Sequence, residues 1–213
     1  MKNLVMVLVG VLVLASSSMV FAAGRAYVGG SVGAFIPQDS HVTFNDGTQE
    51  QESFNTGYVI TGFGGYAFDS GLRVEGELAY REAEFDKGTD TFGNRVNLHG
   101  SLWAFSGMAN LFYDIRTTTN VTPYLGGGIG FATVGHDSDW GYGYNQYYGY
   151  YYRDSEDKTV FAYQAGGGLN IDLNRVMALD VGYRYFATEN VHFDFREMDL
   201  ASHNVTVGVK FKF

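Results

Sequence analysis

Arg73, Glu75, Glu77 and Arg81 stand at alternate positions of one short stretch, and Asp180, Arg184, Lys210 and Lys212 repeat the pattern in two others. Successive side chains of an extended chain point to opposite sides, so each set shares one face of a strand. Charges gathered on one face need water or mutual pairing. Two kinds of chemistry fit them: a narrow gated ion path, or a structural network of ions filling an interior.

A second set is aromatic. Trp140, Tyr142, Tyr144, Tyr147, Tyr148, Tyr150, Tyr151 and Tyr152 are interleaved with Gly141, Gly143 and Gly149. Rigid amphipathic rings supply contact area and glycine lets a loop adapt, a mixture suited to recognition. The same rings also suit an interfacial girdle or a tall rim. The flanking Asp137, Asp139, Asp154, Glu156 and Asp157 have oxygen ligands for calcium but not the spacing of a known calcium loop. Solvated charge is the expectation there, with no metal site.

Catalysis has weaker material. The histidines are His41, His99, His136, His192 and His203, with Ser202 beside the last. Neighbours in a strand face opposite ways, which places Ser202 and His203 poorly as nucleophile and base. No Gly-Xaa-Ser-Xaa-Gly elbow, phosphate loop, dinucleotide fingerprint or paired-histidine zinc motif is present. Cysteine is absent, which excludes disulfides, thiolate metal sites, a cysteine nucleophile and a lipidated cysteine. The expectation is a non-enzyme without cofactor.

The elements that must position these residues are strands. From Ser202 to Phe213, Val205, Val207, Val209, Phe211 and Phe213 alternate with Asn204, Thr206, Gly208, Lys210 and Lys212. Strict alternation gives one apolar and one polar face. The same reading yields strands over Arg25–Ile36, Asn55–Phe68, Leu72–Phe85, His99–Ile115, Val121–Gly135, Thr159–Leu173 and Arg175–Thr188. The facing of Arg25–Ile36 and of the glycine-rich Val121–Gly135 is ambiguous. Connections alternate long and short: Gln38–Phe54, Asp86–Leu98, His136–Lys158 and Glu189–Leu200 are long polar loops. The turns at Asp69-Ser70-Gly71, Arg116–Asn120 and Asn174 are short.

Residues 1–23 read as a secretory signal peptide: Lys2, an apolar run Leu4–Leu14, then small residues in Val20-Phe21-Ala22 or Phe21-Ala22-Ala23 for cleavage before Ala23 or Gly24. The rival reading is a transmembrane helix, for which the run is short against the roughly 20 residues needed. Residues 24–213 then form one domain. Over the whole chain, 17% charged residues are few for a soluble globule, and 16% aromatic residues with 29 glycines suit twisted strands with interfacial rings. Loss of Lys2 takes the formal net charge from −9 to −10, which disfavours a nucleic-acid partner. Exported, alternating strands are best satisfied by an all-β, eight-stranded antiparallel transmembrane barrel, an up-and-down meander with its first strand paired to its last.

The chain also resembles the small eight-stranded outer-membrane barrels of the OmpA/OmpX and opacity-protein type of Gram-negative bacteria. The resemblance spans the mature chain and rests on Thr122-Pro123-Tyr124-Leu125-Gly126-Gly127-Gly128-Ile129-Gly130, Phe161-Ala162-Tyr163-Gln164-Ala165-Gly166-Gly167-Gly168 and Leu179-Asp180-Val181-Gly182-Tyr183-Arg184-Tyr185. It implies residence in the outer membrane among its lipids. It also implies a terminal Phe213 that the assembly machinery recognises, as in barrels with aromatic ends. No periplasmic anchoring domain is expected after Phe213. Members serve as adhesins, surface antigens, structural anchors or narrow pores. The expected function is surface contact or adhesion through the extracellular loops, with a host or environmental surface ligand, by a monomer. A narrow porin-like channel is the alternative, and a lipid-modifying enzyme a third reading.

Overall fold

The computed structural model describes residues 24–38, 40–44, 49–89, 95–96, 100–138, 154–189, 191–192, 196–198 and 200–213. Residues 1–23, read as a signal peptide, and the aromatic run 140–152 lie outside them, as do His99 and Asp139. Eight long strands carry the architecture: β1 (Gly24–Pro37), β2 (Gly57–Phe68), β3 (Leu72–Thr89), β4 (Gly100–Asp114), β5 (Val121–Ser138), β6 (Asp154–Asp172), β7 (Met177–Thr188) and β8 (Ala201–Lys212). Each pairs antiparallel with its sequence neighbours, and β1 pairs with β8 from Tyr27↔Lys212 to Pro37↔Ser202, closing the ring. No helix occurs among the described residues. Closure leaves no sheet edge within the wall, which a bilayer demands because lipid offers backbone groups no partner.

The outer surface is apolar. Val28, Val32, Ile60, Leu78, Leu111, Leu125, Ile129, Val181, Val205 and Val207 all face outward, in the alternation read from the terminal strand. Aromatic pairs border this band on the loop side: Phe131 meets Phe161 edge-on at 6.1 Å, and Tyr58 meets Tyr80 at 6.2 Å. The two ambiguous strands are now resolved. Val28, Val32 and Ile36 of β1 face out while Tyr27, Ser31 and Phe35 face in. In β5, Leu125, Ile129 and Phe131 face out while Tyr124, Ala132 and Val134 face in. Their inward glycines hid the alternation because neighbours fill the space: a Cβ at Gly128 would stand 2.0 Å from Asn110 Oδ1, and one at Gly130 would collide with Met108.

The short turns lie together at one rim. Gly71 ends the first with φ of +91°, a left-handed conformation that glycine adopts without steric cost. Its N–H donates to the Phe68 carbonyl at 3.0 Å, and its own carbonyl accepts from Asp114 N–H at 2.8 Å. At the third turn Asn174 Oδ1 accepts from Val176 N–H and Met177 N–H, both at 2.8 Å, a side chain standing in for a backbone acceptor.

Described parts of the long connections are strands. Gln38–Phe54, read as a loop, contains strands Ser40–Phe44 and Gln49–Phe54, which pair with each other. Ser40–Phe44 also pairs with Arg196–Met198, and that in turn with Val191–His192. The first and fourth loops therefore make one small sheet attached to β3 through Ser53↔Lys87 and Phe54↔Phe85. Barrel strands overrun their sequence limits in the same direction: β3 reaches Thr89, β5 reaches Ser138 and β6 begins at Asp154. Backbone pairing is satisfied there by a facing strand, a non-local partner that polar composition does not reveal.

Candidate functional site: the barrel lumen and its rim

Near the short-turn end the lumen is ionic. Arg73 on β3 is its hub: Nη1 lies 3.1 Å from Glu75 Oε2, and Nε lies 3.1 Å from Asp114 Oδ1. Its guanidinium also stacks 4.7 Å from the Phe112 ring centre and 4.6 Å from that of Tyr124. Tyr27 Oη donates to Glu75 Oε2 at 2.8 Å. On the opposite wall Lys210 Nζ lies 3.3 Å from Asp180 Oδ2 and donates to Asn170 Oδ1 at 2.6 Å, while Tyr124 Oη donates to Asp180 Oδ1 at 3.0 Å. These pairs hold because desolvated charges are tolerated only when paired and hydrogen-bonded.

The middle layer is held differently. Glu77 has no ion pair among the described residues; it accepts from Gln164 Nε2 at 3.2 Å and Asn110 Nδ2 at 3.4 Å. Arg184 stands 4.7 Å from the Phe112 ring centre and donates from both terminal nitrogens to Tyr124 Oη at 3.4 Å, leaving Nε without a partner. Arg81, only 1% exposed, donates to Ser106 Oγ at 2.7 Å and Asn204 Oδ1 at 3.2 Å. Glu77, Arg81 and Arg184 line a cavity of about 20 Å³, enough for about one water.

Above Arg81 the interior turns apolar. Phe35, Val59, Ala83, Leu102, Ala104, Met108, Ala132, Val134, Ala162, Phe186 and Leu200 form one buried cluster at the loop end of the barrel. Arg81 packs against it, 4.0 Å from the Phe186 ring centre. The lumen is thus an ionic lower half under an apolar plug, filled by its own side chains as an eight-stranded barrel requires.

Of the residues singled out in the sequence, Arg73, Glu75, Glu77, Arg81, Asp180 and Lys210 are buried in the lumen, with Arg184 half-buried beside them. Lys212 differs: it pairs with Asp172 at the short-turn rim, partly exposed, outside the interior network. Sequence reasoning missed Tyr27, Tyr124, Asn110, Gln164, Asn170, Asn204 and Asp114, which supply most of the partners. Inward parity could have found Asn110, Gln164, Asn170 and Asn204. Tyr27 and Tyr124 lay on the two ambiguous strands. Ser202 is buried and inward, whereas His203 lies on the outer side with Nδ1 2.7 Å from Tyr183 Oη and Nε2 2.8 Å from Gln38 Nε2. The two are not brought together. Nothing in the described structure groups acids or histidines as a metal site.

The wall above the aromatic border is uneven. Thr133 and Thr159 are bonded through their hydroxyls at 2.9 Å, and beyond them β5 and β6 stay paired from Val134↔Lys158 to Ser138↔Asp154. That adds roughly 15 Å of hairpin.

The family model of the outer membrane protein β-barrel domain matches residues 6–213. The chain belongs to this family. Outer membrane protein PagN of Salmonella typhimurium is 27% identical over 208 residues, covering 87% of this chain and 83% of PagN. An uncharacterized protein of Brucella abortus is 30% identical over 151 residues, 57% of this chain, and the match spans only about half of that relative, 48%. Among solved structures, OprG of Pseudomonas aeruginosa superposes with a TM-score of 0.60 at 14% identity, covering 90% of this chain and 97% of OprG. Ail, the attachment invasion locus protein of Yersinia pestis, solved with the heparin analogue sucrose octasulfate, gives 0.50 at 17% identity, covering 90% and 99%. The protein is an outer-membrane β-barrel of Gram-negative type, its short turns periplasmic and its long loops outside.

Proposed function

We propose that this barrel is a monomeric, non-catalytic surface protein whose extracellular loops make contact with a host or environmental surface. The observation that supports the reading is the filled lumen: ionic pairs below and an apolar plug above occupy the interior, which favours a role for the loops. The β5–β6 hairpin extends beyond the aromatic border to Ser138 and Asp154, and the sequence between them, rich in tyrosine and glycine from Trp140 to Tyr152, has a composition suited to contact. The likeness to the attachment protein Ail supports the same reading at the level of fold. In this reading residues 1–23 are removed on export, and Phe213 serves the assembly machinery.

Replacing residues 140–152 by a glycine-serine linker tests it. Cells displaying the intact barrel should bind epithelial cells or matrix above a barrel-free control, and the replacement should abolish the difference while heat-dependent gel mobility shows a folded barrel. Undiminished binding by the replaced protein would reject the assignment.

A further inference from the structure

The periplasmic rim carries a second surface. Three exposed arginines stand there: Arg25 at the start of β1, Arg116 in the turn between β4 and β5, and Arg175 in the turn between β6 and β7. None has an ion-pair partner among the described residues. The other rim charges are already engaged, Asp114 with Arg73 and Asp172 with Lys212. Among the described side chains of the rim, Asp69 in the first turn is the remaining charge and offsets them in part.

Each arginine adjoins the lower border of the apolar band. Arg116 follows Ile115, which is 42% exposed, and Arg175 precedes Val176, which is 51% exposed. Arg25 precedes Ala26, whose carbonyl accepts from the N–H of Phe213 at 2.9 Å, and Phe213 is 75% exposed. A cation at the end of a strand whose outer face is apolar sits at headgroup depth, where it can reach a phosphate while its stem stays against hydrocarbon. Guanidinium matches phosphate through paired donors. An apolar flank beside every cation suits a phosphate that carries acyl chains.

We propose that Arg25, Arg116 and Arg175 form a binding surface for anionic phospholipid headgroups of the periplasmic leaflet. The sites are spread around the rim, so each takes its own lipid and together they fix the depth of the barrel. The turn bearing Asp69 selects none.

The test uses the refolded mature protein in phosphatidylcholine vesicles containing spin-labelled phosphatidylglycerol or spin-labelled phosphatidylcholine, with the motionally restricted fraction read by electron spin resonance. The wild type should prefer phosphatidylglycerol by about fivefold, the scale for one basic residue at an anionic surface. In roughly 1 M salt the preference should collapse. The combined Arg25→Gln, Arg116→Gln, Arg175→Gln variant should lose it, and Arg116→Gln alone, in an exposed turn that leaves every strand intact, should lose part of it. Glycerol 3-phosphate, which carries the phosphate without chains, should leave the preference in place. No preference in the wild type, full preference in the triple or single variant, or displacement by glycerol 3-phosphate would overturn the proposal.

Discussion

The two halves of the lumen solve one packing problem by opposite means. The lower half encloses Arg73, Glu75, Asp180 and Lys210 in direct ion pairs capped by tyrosine hydroxyls. The upper half encloses Phe35, Leu102, Val134 and Phe186 with no need of partners. Arg81 lies at the boundary, bonded only to neutral acceptors and covered by Phe186. The contrast shows what an interior charge needs. A carboxylate on the same or a neighbouring strand makes a cation a structural element, whereas neutral acceptors leave its desolvation only partly offset.

Substitutions can break that contrast, and equilibrium unfolding in lipid vesicles reads them on one scale. The largest loss is expected for Arg73→Ala, which strands Glu75 and Asp114: about 3 to 5 kcal/mol. Phe186→Ala removes a ring from the plug and should cost about 3 to 4 kcal/mol, as large-to-small changes in a packed core do. On the outer face, Val207→Arg places a charge in hydrocarbon and should cost about 2 to 4 kcal/mol near the midplane. Arg81→Met is the sharper test, because methionine extends the apolar plug into the space of an unpaired charge. It should fall within about 1 kcal/mol of the wild type or be more stable. Lys212→Ala, at the half-exposed rim pair with Asp172, should change stability by less than about 1 kcal/mol. An Arg81→Met loss as large as that of Arg73→Ala would erase the distinction between the halves.

The barrel was legible because its strands alternate. Leu72 to Tyr80 and Val205 to Phe213 give face, direction and membrane together, since lipid and lumen impose opposite chemistry on adjacent residues. The charged members of the network were legible for the same reason. Their partners were less so, because a hydrogen bond such as Gln164 to Glu77 joins residues far apart in sequence whose heights depend on the stagger of the barrel. Tyr27 and Tyr124 were hidden by glycines that remove the alternation locally. The apolar plug left no mark either. Phe35, Ala83 and Val134 are inward and apolar where a water-facing interior calls for polar residues, and only closure at the loop end explains them.

The central claim is that the lumen is sealed, and planar-bilayer conductance tests it most directly. The refolded mature barrel, shown to be folded by its heat-dependent gel mobility, should be silent, and Glu75→Gln and Arg184→Ala should be silent beside it. Reproducible unitary channels whose conductance shifts with either substitution would contradict the claim and make the ionic half of the lumen a path.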